Sequence, residues 1–189
     1  MEILLFKVRG LSPLLMHSAA GMKAPASETA KRKTIPSPAE EAEAGCYRDE
    51  AGDFYMPSEA FRSALVDAGV GRKLGRSSAK KVLAANVFTT ANDRAALYDP
   101  DSGASLHDYA VDSRRAVVQK QGIVRSRPRL DRWAATFELE YDPDFVSVAV
   151  LRDVLALAGR QVGVGDFRPR PPVWSTGRGG RFGRFELLP

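Results

Sequence analysis

At 189 residues the chain suits one domain with decoration, because single cores usually form at about 100 to 200 residues. Its formal charge of +5 comes mostly from arginines crowded toward the C-terminal half, an asymmetry that favours a polyanionic partner over an acidic small molecule. The one cysteine, Cys46, excludes an intramolecular disulfide and a cysteine-rich zinc site; the two histidines, His17 and His107, make no metal cluster.

Glu2 to Arg9 carries Ile3, Leu4, Leu5, Phe6 and Val8 and stops at Gly10, which predicts a buried first strand. From Ser18 to Gly52 the composition shifts to Ala, Ser, Pro, Lys and Glu, and Pro25, Pro36 and Pro38 break any single regular element. This predicts a long loop with a short acidic helix around residues 39–44 and a cationic triplet at Lys31, Arg32 and Lys33. Loops of this length in a compact domain are usually functional or disordered.

Asp53 to Ser58 predicts an extended piece running into a helix, with Pro57 at its start and Ser58-Glu59 as cap and dipole complement. Phe61, Leu65 and Ala68 share one helical face, and Gly69 is the expected stop. Residues 70–78 read as a flexible link to a second short helix at 79–85, and 70–112 as an inserted subregion whose 86–112 part carries short strands broken by Asp99-Pro100-Asp101-Ser102-Gly103. Residues 116–120 and 123–127 predict a hairpin turning at Gln121-Gly122.

Trp133 to Tyr141 alternates, with Trp133, Ala135, Phe137, Leu139 and Tyr141 on one side and Glu138 and Glu140 on the other, which predicts a strand with one buried face. After the Asp142-Pro143-Asp144 turn, Val148, Leu151, Leu155 and Ala158 form a helical stripe that Gly159 is expected to end. Residues 160–184 are glycine- and arginine-rich loops before a last strand at 184–188. The order strand, helix, strand, strand, helix, strand predicts an α+β, ferredoxin-like fold (split βαβ, RRM-like). In it an antiparallel sheet carries both helices on one face and leaves the other free, the face where such folds often bind nucleic acid.

Two clusters carry candidate chemistry. Gly163-Val164-Gly165-Asp166-Phe167-Arg168-Pro169-Arg170 and Gly177-Arg178-Gly179-Gly180-Arg181-Phe182-Gly183-Arg184-Phe185 interleave glycines, which let backbone approach a phosphate, with arginines and stacking rings. The plainer account is a glycine-rich linker. The other cluster is Arg114, Arg115, Lys120, Arg125, Arg127, Arg129 and Arg132 on the expected hairpin. Arg125, Arg127 and Arg129 would line one side as a cationic stripe able to follow a phosphate chain, the alternative being a protected sheet edge. Phe167, Trp174 and Phe182 suit either stacking or packing, while Phe185 is expected in the core.

Three stretches together resemble the landmarks of the RAMP superfamily, the guide-RNA-binding subunits of CRISPR effector complexes. They are the first strand leading into Leu11-Ser12-Pro13-Leu14-Leu15-Met16-His17, the helix start from Phe54 to Leu65, and Gly180-Arg181-Phe182-Gly183-Arg184-Phe185. The chain is also similar to phage proteins that share the Gly-Val-Gly-Asp-Phe-Arg-Pro segment. The resemblance implies a subunit that grips single-stranded guide RNA by its backbone and stacks head to tail with copies or other effector subunits. It also implies a thumb-like hairpin, supplied by 86–112 or by 116–127, and places Arg62 near the RNA. Where the family's helix start commonly carries glycines, this chain has Ser58, Ala60 and Phe61.

Relatives that cut RNA use a loop aspartate or a histidine. This makes His17 and Asp49, with Glu43 and Asp53 as the neighbouring loop carboxylates, the candidates for an alternative metal-independent or loop-carboxylate endoribonuclease. A third reading is a phage protein that binds single-stranded DNA or other proteins. No apolar run approaches the roughly 18 residues of a membrane span, so the sequence predicts a cytoplasmic protein with no membrane partner and no cofactor.

Overall fold

The structure, a computed structural model, describes residues 1–19, 36–118, 121–169 and 179–189. The Lys31-Arg32-Lys33 triplet, Lys120, Arg170, Trp174 and Arg178 lie outside the described residues.

Strand β1 (Glu2–Gly10) buries Phe6 and Val8 while Ile3, Leu5, Lys7 and Arg9 face outward. The expected buried strand is therefore covered on one side only, and Ile3 is 62% and Leu5 50% exposed. Its neighbour is the alternating strand, here labelled β10 (Ala134–Tyr141), paired antiparallel from Glu2↔Tyr141 to Arg9↔Ala134. Ala135, Phe137, Leu139 and Tyr141 are buried, as the period-two pattern predicts.

Beyond β10 lie β6 (Val87–Thr89) and β7 (Arg94–Tyr98), both paired to it, and β7 in turn pairs with β3 (Tyr55–Pro57). At the other edge β11 (Phe185–Leu187) pairs with β1, giving the order β11-β1-β10-β7-β3 with every pair antiparallel. The 70–112 stretch is thus no insertion, because it supplies two strands of the main sheet. The short strands expected within 86–112 do form, but strands this short carry too little alternation to show which sheet they join.

Helices α2 (Ser58–Ala68) and α4 (Val148–Gln161) pack on each other and bury their apolar stripes on the Phe6 side of the sheet. Phe61 of α2 stacks on Phe137 with ring centres 4.3 Å apart and meets Phe185 edge-on at 5.6 Å. Each such ring contributes about 1.5–3 kcal/mol by leaving water.

Two helix ends depart from expectation. Pro57, not Ser58, is the N-cap residue of α2, and the Ser58 hydroxyl is buried without a partner. Gly159 does not end α4; a Cβ there would lie 2.1 Å from the Phe185 carbonyl oxygen, so the glycine is what lets β11 lie against the helix.

The acidic helix α1 (Pro38–Ala44) forms with a reciprocal capping box between Ser37 and Glu40. The expected flexible link at 70–78 folds into a small hairpin, β4 (Lys73–Leu74) and β5 (Ser77–Ser78), ahead of α3 (Ala79–Asn86). A second sheet has the order β2-β9-β8, built from β2 (Leu14–Leu15), β9 (Gln121–Leu130) and β8 (Ala110–Val118). Its hairpin is longer than predicted. Gln121 and Gly122 are rungs of the ladder, opposite Val118 and Val117, rather than the turn. No described helix is long and apolar enough to cross a membrane.

Candidate nucleic-acid interface

Cross-strand partners share a face of an antiparallel ladder. The register Asp112↔Arg127 and Arg114↔Arg125 therefore places Asp112 and Arg114 beside Arg125, Arg127 and Arg129 on one side of the β8–β9 hairpin. The three arginines align as their spacing predicts. The structure also unites this hairpin with the glycine-rich segments, which the sequence presents as separate clusters. The Arg114 guanidinium sits 4.4 Å from the Phe182 ring centre and that of Arg127 4.9 Å from Phe167.

Backbone contacts hold the two glycine-rich segments together. Val164 N–H donates to the Gly183 carbonyl, Gly180 N–H to Arg168 and Phe182 N–H to Phe167, while Asp166 N–H donates to Leu15 and Gly183 N–H to Pro13. A Cβ at Gly183 would stand 1.8 Å from the Val164 carbonyl oxygen, and one at Gly180 would stand 1.8 Å from that of Phe167. Gly165 and Gly179 are crowded in the same way by Leu15 and Pro169, and Gly163 less closely, with the Gly183 carbonyl oxygen 3.0 Å from its Cβ position. Close approach of protein backbone accounts for these glycines, a packing role that the phosphate-cradle expectation did not include.

Each arginine on the hairpin face meets a carboxylate. Arg114 is bidentate to Asp112, and Arg129 reaches Asp112 at 3.4 Å and Asp131 at 2.8 Å. Arg125 donates to Glu41 of α1 at 2.9 Å, and Arg127 to Asp166 at 2.5 Å. Arg132, beyond the strand, pairs with Asp101. The hydrogen bond from Arg114 holds the buried Asp112 carboxyl below its ordinary range. Burial would raise Glu41, but hydrogen bonds from Arg125 and the Ser126 N–H outweigh it and leave its carboxyl lowered. The expected cationic stripe is therefore a charge-balanced network tying hairpin, α1 and loop together. Asp112, Asp166 and Glu41 were missed by sequence reasoning, although Asp166 stands as a lone acid amid cations, which is a usable signal.

At the centre of this network β2, β9 and the glycine-rich loop converge. Arg127 is buried, with only 6% of its side chain exposed. Phe167 beside it has a φ of 51°, the only positive value at a non-glycine among the described residues. An L-residue held there costs of order 1–3 kcal/mol, and such strain gathers at functional positions. His17, just past β2, has Arg127, Asp166, Arg125 and Glu41 as its charged neighbours, and burial followed by Arg127 pushes its pKa below 6.5.

Other candidates lie apart from this junction. Arg62 spends its guanidinium on the Val87 and Ala84 carbonyls and on Glu59, closing the C-terminal end of α3. Arg184 donates to the Arg160 carbonyl. Arg168 is half-buried, and burial lowers its pKa despite Asp67 and Asp166 nearby. Asp49 accepts the Ala51 and Asp53 N–H groups in a tight turn, Asp53 faces His107 at 3.2 Å, and Glu43 holds Arg48; the charged neighbours of His17 do not include them. Arg115 and Arg181 are exposed, and neither has a carboxylate partner among the described residues.

The uncovered face of the main sheet bears Ile3 and Leu5 opposite Glu140 and Glu138, with Phe88 opposite Glu140 and the Arg9–Glu186 pair at the β11 edge. Its centre is aliphatic and acidic, not a platform of stacking rings.

Together these elements define a mixed α+β protein with antiparallel sheets, whose arginine-faced hairpin is locked to a glycine-rich C-terminal loop. Among the described residues no group of His, Cys, Asp or Glu is arranged to hold a metal ion. Compared with protein-family models the sequence matches none, and comparison with curated proteins likewise gives no match.

Proposed function

We propose that the chain is an RNA-binding subunit on a ferredoxin-like frame, gripping a single strand beside the junction of His17, Arg127, Asp166 and Phe167. The order β11-β1-β10-β7, joined through α2 and α4, supports the split βαβ reading. The observation that carries the functional reading is Phe167. A partly buried ring is held at φ 51° over a buried arginine, and its carbonyl accepts the Phe182 N–H, which brings the segment bearing exposed Arg181 alongside. In this reading the neutralised network is the support, Phe167 offers the stacking surface, and Arg181 supplies a phosphate contact at the rim. The RNA is a guide strand in a CRISPR-like ribonucleoprotein, as the resemblance implies. The apolar Ile3–Leu5 strip suits contact with another subunit better than with phosphate.

Binding of labelled single-stranded RNA and DNA across salt concentrations tests this with two variants. Phe167→Ala is expected to weaken RNA binding by at least about fivefold, the loss of one stacked base. Arg181→Ala is expected to weaken binding and to flatten the salt slope by about 0.7, one phosphate no longer being neutralised. Unchanged affinity in both variants sinks the proposal.

The second reading, a metal-independent endoribonuclease, draws on His17 alone. Its imidazole is held in the neutral form beside Arg127, as a general base requires. Cleavage of labelled RNA by the wild type that His17→Ala abolishes is the outcome it requires.

A further inference from the structure

The arginines of the hairpin face are balanced by carboxylates, which moves attention to cations that are not. Residues 72–81 hold Arg72, Lys73, Arg76, Lys80 and Lys81 on the β4–β5 hairpin and the first turn of α3. Arg72, Lys73, Arg76 and Lys81 are exposed, and none has a carboxylate partner among the described residues. Lys80 alone has one, at 4.0 Å from Asp67. Lys80 and Lys81 also stand in the first turn of α3, where the helix dipole disfavours cations, and no acidic residue shares that turn.

Beside this hairpin runs a groove of about 540 Å³, lined on one side by Leu74, Gly75 and Ser77 and on the other by Pro143, Asp144 and Phe145. The Phe145 ring is 64% exposed although Val146 next to it is fully in the core. The groove is of the size that takes a small organic group. Gly75 has a positive φ of 58° and nothing within 4 Å of the position of its Cβ, so a ligand can come up against the backbone there.

We infer that this groove and hairpin form a second contact for a single-stranded nucleic acid, one base stacking on Phe145 while the phosphates follow Arg72, Lys73, Arg76 and Lys81. Exposed cations next to an exposed ring are the combination that single strands require and that an acidic protein does not. Asp144 on the groove wall repels phosphate and accepts amino groups, which places the base inside the groove and the backbone on the hairpin. The site shares no residue with the Phe167 junction, so each can fail alone.

The test measures binding of labelled oligocytidine, oligodeoxycytidine and an RNA duplex across salt. It compares the wild type, the variant R72A/K73A/R76A/K81A, Phe145→Ala and, for the other site, Phe167→Ala. All substituted hairpin cations are exposed, so the fold is expected to survive, and a thermal melt of each variant checks it. The quadruple variant should lose at least about tenfold in single-strand affinity, with a salt slope shallower by about 2 to 3, from about 0.7 per neutralised phosphate. Phe145→Ala should lose at least about fivefold with the slope unchanged, as a stacking contact does. Comparison of oligocytidine with oligodeoxycytidine shows which sugar is preferred.

Wild-type affinity in both groove variants overturns the inference, including when Phe167→Ala weakens binding. Equal loss for duplex and single strand, with Phe145→Ala silent, also overturns it and leaves a general polyanion patch. Loss in the groove variants with Phe167→Ala unaffected supports it and shows that Phe167 takes no base.

Discussion

Arg127 donates through Nε to the Asp166 carboxylate at 2.5 Å, and so fastens the β9 strand to a glycine-rich loop that the sequence presents as an independent element. Only 6% of the Arg127 side chain is exposed, against 35% for Asp166. Removing Asp166 leaves a buried, unpaired guanidinium, whereas removing both partners leaves none. Asp166→Ala is expected to destabilise the fold by about 2–3 kcal/mol, reduced from the fully buried case because Asp166 is a third exposed. Arg127→Met with Asp166→Leu should recover most of that loss. Urea unfolding of the three proteins checks it; a double variant as unstable as the single would refute the charge-burial argument.

The His17 pKa is lowered, first by burial and then by Arg127, from an ordinary 6.5. The unfolded chain therefore binds the proton more tightly than the folded one between the two pKa values. The stabilisation is fully present above about pH 6.5 and is lost as pH falls through the lowered folded value. Wild-type stability should consequently drop more steeply between neutral and mildly acidic pH than that of His17→Asn. Parallel curves for the two proteins would show that this group contributes nothing.

What the sequence reveals and conceals follows from periodicity. Strand β10 and helix α2 were legible because Phe137, Leu139 and Tyr141, or Phe61, Leu65 and Ala68, repeat at the period of their element and are buried together. The alignment of Arg125, Arg127 and Arg129 was legible for the same reason. Short strands were expected where β6 and β7 lie, but a few residues carry no period that would place them in the main sheet. Glycine was the misleading residue. Gly159 was expected to stop a helix but admits the backbone of Phe185, and Gly180, expected to let backbone approach a phosphate, lies against the backbone of Phe167. Absence of a side chain does not say what takes its place. Nor could spacing show that each arginine of the face has a carboxylate, since Glu41 and Asp166 come from distant parts of the chain.

Burial pushes the Cys46 thiol up to about 12, and the Glu43 carboxylate adds to the shift. The thiolate is the reactive form, so at mildly alkaline pH Cys46 should react with a thiol reagent far more slowly than an unhindered cysteine of pKa near 8.5. Unfolding in urea should restore the ordinary rate. A native protein that reacts as fast as the unfolded one would show that the thiol is neither buried nor beside Glu43.

Gly183 combines two demands that can be separated by comparison with Gly103. Both have positive φ, 65° and 73°, so alanine strains the backbone at each by about 1–2 kcal/mol. At Gly103 nothing lies within 4 Å of the Cβ position, whereas at Gly183 the Val164 carbonyl oxygen would stand 1.8 Å away. Val164 N–H donates to the Gly183 carbonyl, and Gly183 N–H to Pro13, so movement of this backbone breaks hydrogen bonds on both sides. Gly183→Ala should therefore exceed Gly103→Ala by at least about 2 kcal/mol in urea unfolding, within the class of severe backbone effects. It should also release the Phe182 ring from Arg114, which sits 4.4 Å from it. The consequence is a hairpin face with loosened pairing, and single-strand affinity that changes together with stability. Equal destabilisation at the two glycines would mean that φ alone matters and that the loop has room to move.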